Sequence, residues 1–306
     1  MPGGGARPPR RGRAHALLLL PWLALPGGCT GMMFNPVSGP PLSAGDASAP
    51  HRTVRFEAAD GVALAGWFLP ADGANGTVVF VDGAENVRRH VDHVDWLPDA
   101  GYNVLLFNYR GYGASGGRPS MAGFHRDLRA AIRTADRLDD LPRRRLVVFG
   151  QSLGGAVATV TLADGDRGTG LGALVVDSAP RDYRLIVRET LARNWYTWPV
   201  HVPLSWLITD EFAADEAAGR LPAIPKLWIA NDGDRTVGAH HTVELHERAP
   251  EPSALWRIEP RAHMATLDDG AARSAFARWL DRALETRRAR PAPPSGPPAG
   301  PSSASR

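Results

Sequence analysis

The run Leu146-Val147-Val148-Phe149-Gly150-Gln151-Ser152-Leu153-Gly154-Gly155 carries an apolar strand into Gly-x-Ser-x-Gly and on into Ala156-Val157-Ala158, a helix start. A serine on a sharp strand-to-helix turn has strained backbone angles. Only residues without a side chain two before and two after it escape collision, and Gly150 and Gly154 meet that condition. The turn lifts the Ser152 hydroxyl out at the carboxyl end of the sheet. The helix behind it directs backbone N–H groups and its positive dipole end at the reacting oxygen. The chemistry implied is nucleophilic attack on a carbonyl. The bland reading is a glycine-rich turn with a helix-capping serine, which leaves the coincidence of both glycines, strand and helix unexplained.

A neutral serine is a poor nucleophile, so a base and an orienting acid must follow in the order Ser, acid, His. After one apolar run, Leu227–Ala230, comes Asn231-Asp232-Gly233-Asp234-Arg235-Thr236-Val237; after another, Leu255–Ile258, comes Glu259-Pro260-Arg261-Ala262-His263. Both lie just past the carboxyl end of a late strand, where they can converge on Ser152. His263 is the candidate base, since the nine other histidines lack this placement. Asp234 is the candidate acid, with Asp232 as the alternative. Asp177, past the run Ala173–Val176, is another possible acid position but reads better as a structural carboxylate.

The elements that must position these groups alternate along the chain. Apolar runs Thr77–Val81, Asn103–Phe107, Leu146–Phe149, Ala173–Val176, Leu227–Ala230 and Leu255–Ile258 are separated by helical patterns, the signature of βαβ units in a mostly parallel sheet. Ahead of them, Val54–Phe56 and Val62–Leu69 read as an opening antiparallel hairpin. Phe124, Leu128, Ala131, Ile132, Ala135 and Leu138 fall at helical spacing, as do Phe276, Trp279, Leu280, Ala283 and Leu284; these stripes are core. The segment 180–219 breaks the alternation and carries Trp195, Tyr196, Trp198, Trp206 and Phe212, a small helical insertion. Its aromatics form a lid or acyl-binding wall, touch lipid, or simply pack the insertion onto the body.

With 43% hydrophobic and 22% charged residues among 306, the chain has the composition of a soluble enzyme, and fibrous, collagen-like and wholly disordered readings are excluded. The formal charge of +3 becomes −1 once Arg7, Arg10, Arg11 and Arg13 are set aside, so no nucleic-acid partner is expected. Those arginines precede an apolar stretch, Ala14 to Leu25, too short to span a bilayer, and then Leu25-Pro26-Gly27-Gly28-Cys29. Small residues before a lone cysteine resemble a bacterial lipoprotein lipobox. The resemblance implies that residues 1–28 are removed and that Cys29, the only cysteine, is acylated as a membrane anchor; a plain signal peptide is the alternative. Residues 29–50, rich in Pro, Ser, Gly and Ala, read as a flexible tether to a domain over 51–288, and 289–306 as a disordered Pro-rich tail.

Taken with Gly150–Gly155, Asp234 and His263, the block Gly101-Tyr102-Asn103-Val104-Leu105-Leu106-Phe107-Asn108-Tyr109-Arg110-Gly111-Tyr112-Gly113-Ala114-Ser115 resembles the α/β-hydrolase superfamily, and within it the BEM46-like serine hydrolases, over about residues 52 to 287. The resemblance implies an α/β-hydrolase fold, an α/β architecture with about eight strands. Arg110 and the tyrosines of the block are expected to brace loops, with Asn108 standing where the group has Asp. The group's His-Gly-Asn after the third strand is replaced by Asp82-Gly83-Ala84-Glu85-Asn86. Gly83 keeps the turn, and the N–H groups of Ala84 and Leu153 are the candidate oxyanion hole. Asp82 and Glu85 would oppose the developing negative charge if they faced it.

The expected activity is hydrolysis of a carboxylic ester or thioester through an acyl-enzyme, with a small-molecule or lipid-like acyl substrate and no metal or organic cofactor. A serine in place of an aspartate nucleophile argues against dehalogenase chemistry, whereas peptidase, lipase and thioesterase stay open. The expected location is the bacterial envelope, lipid-anchored and periplasm-facing, or secreted. The rival reading is an envelope binding protein that keeps the pocket and has lost turnover.

Overall fold

The computed structural model describes residues 49–83, 90–138, 141–142, 145–164, 171–259 and 261–289, with side chains to residue 286. The leader, Cys29, the tether before residue 49, the tail, and Ala84 and Glu85 lie outside the described residues.

Eight runs of β-favouring residues become eight strands: β1 Arg52–Glu57, β2 Ala63–Leu69, β3 Gly76–Val81, β4 Tyr102–Phe107, β5 Leu146–Gln151, β6 Ala173–Asp177, β7 Lys226–Asn231 and β8 Ser253–Ile258. They form one sheet in the order β1-β2-β4-β3-β5-β6-β7-β8. Strand β2 runs antiparallel to both its neighbours, and every other pairing among β3 to β8 is parallel. This is the α/β-hydrolase fold. The hairpin expected at the start is the β1–β2 pair, with Val54 opposite Gly66.

The central strands are buried on both faces, which is why they read as continuous apolar runs. Alternate residues supply two separate cores. Val79, Val81, Leu105, Phe107 and Val148 face one side with Phe124, Leu128, Ala131 and Ala135 of α1 (Met121–Leu138). Val78, Phe80, Val104, Leu106 and Phe149 face the other with Phe276, Leu280 and Leu284 of α7 (Gly270–Ala289). On that second face Phe149 meets Phe80 at 5.3 Å and Phe276 at 5.2 Å between ring centroids, in tilted and edge arrangements that aromatic pairs favour.

The first face also receives α2 (Leu153–Asp164) and α6 (Ala239–Arg248), and between β6 and β7 the insertion folds as α3 (Tyr183–Ala192), α4 (His201–Ser205) and α5 (Ala214–Ala218). Helix α3 is capped by Asp182, whose side chain accepts from the Leu185 N–H. Of the insertion's six aromatic rings Tyr183 and Phe212 pack inward, the latter tilted against His125 of α1 at 4.9 Å. Trp195, Tyr196, Trp198 and Trp206 are exposed, so the purely structural reading of these rings does not hold.

Arg110, in the long block that carries the resemblance, ties the loop after β4 to two elements. Its guanidinium donates to Asp127 of α1 through Nε and Nη2, the latter at 2.7 Å, and to Asp60 in the β1–β2 turn at 2.8 and 3.0 Å. Asp127 is fully buried; burial raises its pKa, against the pull of Arg110. Asn108 is buried under Gly113, where a Cβ would come within 2.4 Å of the amide, and positive φ at Gly113 completes the turn.

Candidate active site

Ser152 follows β5 directly and opens onto α2, with φ at +52°. A side chain there sits in the left-handed region only because its surroundings hold it. Its N–H donates to the Asp177 carbonyl at the end of β6, and its carbonyl accepts from the Gly155 N–H at 3.0 Å. The flanking glycines are sterically required. A Cβ on Gly150 would lie 2.6 Å from the Gly154 carbonyl oxygen, and one on Gly154 would lie 2.2 Å from the Val81 carbonyl oxygen. Helix α2 can therefore start against the end of β3 only with glycine at that position.

His263 lies after β8, followed by Met264 at φ +62°. Its Nε2 is 3.0 Å from Ser152 Oγ and its Nδ1 is 2.5 Å from Asp234 Oδ2. The other oxygen of Asp234 accepts the N–H groups of Thr236 at 2.7 Å and Val237 at 3.0 Å. The Asp234 carboxylate is fully buried, while 17% of the His263 side chain is accessible. Burial alone would raise the Asp234 pKa; the hydrogen bond and charge of His263 and the two N–H groups outweigh it, and the net shift is downward. Asp234 therefore stays ionised, accepting from His263 Nδ1–H and leaving Nε2 as the acceptor toward the serine hydroxyl.

Asp232, the alternative acid, points elsewhere. It is paired with Arg257 at 2.6 Å on the exposed edge of β7 and β8. Asp177 is buried behind the site, accepting from Gln151 Nε2 at 2.9 Å, Ser178 Oγ at 2.9 Å and Thr266 Oγ at 3.0 Å. Burial raises its pKa despite those donors, and it serves as the hub of a polar layer beneath the triad. Gln151, the variable residue of Gly-x-Ser-x-Gly, joins that layer. Its Oε1 is 2.8 Å from His93 Nδ1, and its amide also reaches the carbonyl of Met264, next to His263. Nothing in the spacing of the chain points to Gln151, His93 or Thr266, because they meet only when the turns after β5 and β8 and the Val91–His93 helical turn assemble.

On the oxyanion side, Leu153 is the first residue of α2, where N–H groups have no partner within the helix. Ala84, its expected companion, lies outside the described residues, as does Glu85. Asp82 is buried. One of its oxygens accepts the Gly83 N–H at 2.5 Å and the other lies 3.1 Å from His90 Nε2, so its charge is engaged by these groups.

A cavity of about 580 Å³ lies beneath the insertion, lined by Arg181, Arg184, Arg188, Trp206, Asp210 and Arg220 among others. None of the triad residues borders it, and it is no acyl pocket for Ser152. Among the described residues, one group of metal-binding side chains converges: Glu189 of α3 with His240 and His241 of α6. His241 Nδ1 accepts the Arg181 N–H, which leaves the proton on Nε2 facing Glu189, and Arg193 lies 3.7 Å from the same carboxylate. With those protons and charges in place, the cluster is a hydrogen-bonded knot pinning α3 to α6.

The family described as "Hydrolase_4: Serine aminopeptidase, S33" matches residues 72–211. The YfhR protein of Escherichia coli K12 is 33% identical over 223 residues, covering 71% of this chain and 75% of that protein. The Rv2307c protein of Mycobacterium tuberculosis is 32% identical over 227 residues, covering 72% and 75%. Among solved structures, an esterase of Pyrococcus furiosus superposes with a TM-score of 0.63 at 23% identity, over 79% of this chain and 94% of its own, a likeness of fold. The topology, the serine turn and these relatives together show that the chain belongs to the α/β-hydrolase superfamily, in the family that also contains YfhR.

Proposed function

We propose that this protein is a serine hydrolase that cleaves a carboxylic ester or thioester through an acyl-enzyme. The observation that carries the reading is the unbroken line Ser152 Oγ, His263 Nε2, His263 Nδ1, Asp234 Oδ2, at 3.0 and 2.5 Å. Ser152 Oγ attacks the carbonyl carbon as its proton passes to His263 Nε2. The tetrahedral oxyanion is received by the Leu153 N–H at the start of α2 and by the N–H of Ala84. Collapse breaks the bond to the leaving group, which takes the proton from His263. Water, deprotonated by the same nitrogen, then releases the acid. Asp234 stabilises the imidazolium through both half-reactions. Ser152 is the first nucleophile and water the second, and His263 returns its proton to the departing Ser152 Oγ.

The block Gly101–Ser115 supports the reading of a BEM46-like protein, and the short leader with Cys29 that of an anchor at the envelope through a lipidated cysteine. A second reading, peptide hydrolysis, is favoured by the description of the matching family. Both use the same acyl-enzyme and differ in the leaving group. Steady-state rates on p-nitrophenyl esters, acyl thioesters and aminoacyl anilides, each beside Ser152→Ala, separate them. We expect turnover of esters or thioesters that the alanine variant abolishes; turnover of anilides alone would move the assignment to the peptidase.

A further inference from the structure

We propose that residues 195–207 of the insertion form a docking surface for an anionic lipid bilayer. Among the described residues, the exposed large apolar side chains all fall in this one stretch: Trp195 at 87%, Tyr196 at 65%, Trp198 at 61% and Trp206 at 69%, with Val200, Leu204 and Leu207. Two pairs of rings meet within the stretch. Trp195 meets Tyr196 edge-on at 6.1 Å, and Trp198 stacks on His201 at 6.2 Å. Single exposed apolar residues are ordinary, but a contiguous set of this size marks an interaction site.

Two features choose a bilayer as the occupant. Tryptophan and tyrosine, with an apolar ring and a polar edge, are the side chains that settle at the headgroup level of membranes. The charge also fits: from Thr190 to Thr209 there is no Asp or Glu, and the charged residue present is Arg193, with His201 titratable beside the rings. Arg193 is paired with Glu189, and Asp210 and Glu211 border the cavity beside Trp206; the stretch from Asn194 to Thr209 itself carries no negative charge toward an anionic surface.

The length of chain before the fold permits the orientation. The tether arrives at Ala49, which lies beside Pro70, Pro98 and Gly101 at the amino ends of the parallel strands, opposite the serine turn. A domain of this size is roughly 45 Å across. The stretch from Cys29 to Ala49, fully extended, reaches roughly 70 Å. An anchor at Cys29 is therefore long enough to let the insertion face the same membrane. Arg193, which opens the apolar stretch, donates to the carbonyl of Arg235, next to Asp234. The docked face is thus continuous with the loop that carries the triad's acid.

The docking inference stands on the exposed cluster and does not depend on hydrolysis. The test uses the full chain with Cys29→Ser, so that an environment-sensitive dye can be placed on a single introduced thiol at Leu207→Cys or, as a control on α7, at Ser274→Cys. Vesicles of phosphatidylethanolamine and phosphatidylglycerol are added, some carrying nitroxide-labelled lipid. The expected result is a blue shift, a several-fold rise in emission and nitroxide quenching at position 207 and none at 274. A triple variant, Trp195→Ser, Trp198→Ser and Trp206→Ser, removes the response at 207 while retaining wild-type rates on a soluble ester. Two results overturn the proposal: a water-like signal at 207 on chains that co-float with vesicles through their leader, or a dye shielded before vesicles are added in a chain with the mass of a dimer, which would assign the face to a second copy. Fluorophosphonate labelling of Ser152 in the same samples keeps failure of docking distinct from failure of the hydrolase reading.

Discussion

Ser152 is the point where local strain and chemistry coincide. Its φ of +52° is tolerated because Gly150, Gly154 and the Asp177 carbonyl fix the turn, and that turn is what brings Oγ within 3.0 Å of His263. The choice between two aspartates two residues apart rests on a similar local detail. Asp234 is held inward by the Thr236 and Val237 N–H groups, and Asp232 outward by Arg257. Asp234→Asn should therefore lower kcat by about 10³ to 10⁴, because an amide facing Nδ1 favours the wrong tautomer of His263. Asp232→Asn should leave kcat within about twofold, since it removes only an exposed ion pair. Steady-state kinetics on one ester substrate compare the two, and equal losses would contradict the assignment of the acid.

At the scale of elements, the site depends on how closely α2 can approach β3 and on how the loop after β4 is tied down. A methyl group on Gly154 would overlap the Val81 carbonyl, so Gly154→Ala should destabilise the fold by about 3 kcal/mol or more, read from urea unfolding. Arg110→Met should cost about 3 to 5 kcal/mol in the same measurement, because it leaves the Asp127 carboxylate buried without its cation. Arg110→Lys should recover only part of that loss, since an ammonium cannot match the fork geometry toward two carboxylates. Much at this scale is readable in the chain. Strands β3 to β7 announce themselves as continuous apolar runs because they are buried on both faces, and α1 and α7 through their 3.6-residue stripes. Serine, acid and histidine are readable because each follows a strand in a fixed order. What escapes are contacts between distant side chains: Asp60 and Asp127 on Arg110, or Gln151 bridging His93, Asp177 and Met264. No periodicity encodes them. The fate of the insertion's aromatics is likewise illegible, because a Trp-rich stretch reads the same whether it packs inward like Phe212 or outward like Trp195.

For the molecule as a whole, stability and function respond to different groups. His125, buried between α1 and α2 and bonded to Thr161, has its pKa lowered to about 4, chiefly by burial and then by the charge of Arg129. The unfolded chain takes up this proton below about pH 6.5 and the folded chain resists it until about pH 4. Stability from this group is therefore full above pH 6.5 and falls by about 3 kcal/mol as the pH drops to 4. In urea unfolding across that range, His125→Asn should show a flatter profile than the wild type, and parallel profiles would rule out the histidine as the source. Ser152, Asp234 and His263 follow the carboxyl ends of β5, β7 and β8, and their operation is the central claim. The most direct measurement is fluorophosphonate labelling of the full chain, with the adduct located by peptide mass spectrometry, beside Ser152→Ala and His263→Ala. The geometry predicts a single adduct on Ser152 that is absent from the first variant and slowed by orders of magnitude in the second. A folded wild-type chain that takes up no label, or labels equally without His263, would contradict an activated serine and leave a binding protein on a hydrolase fold.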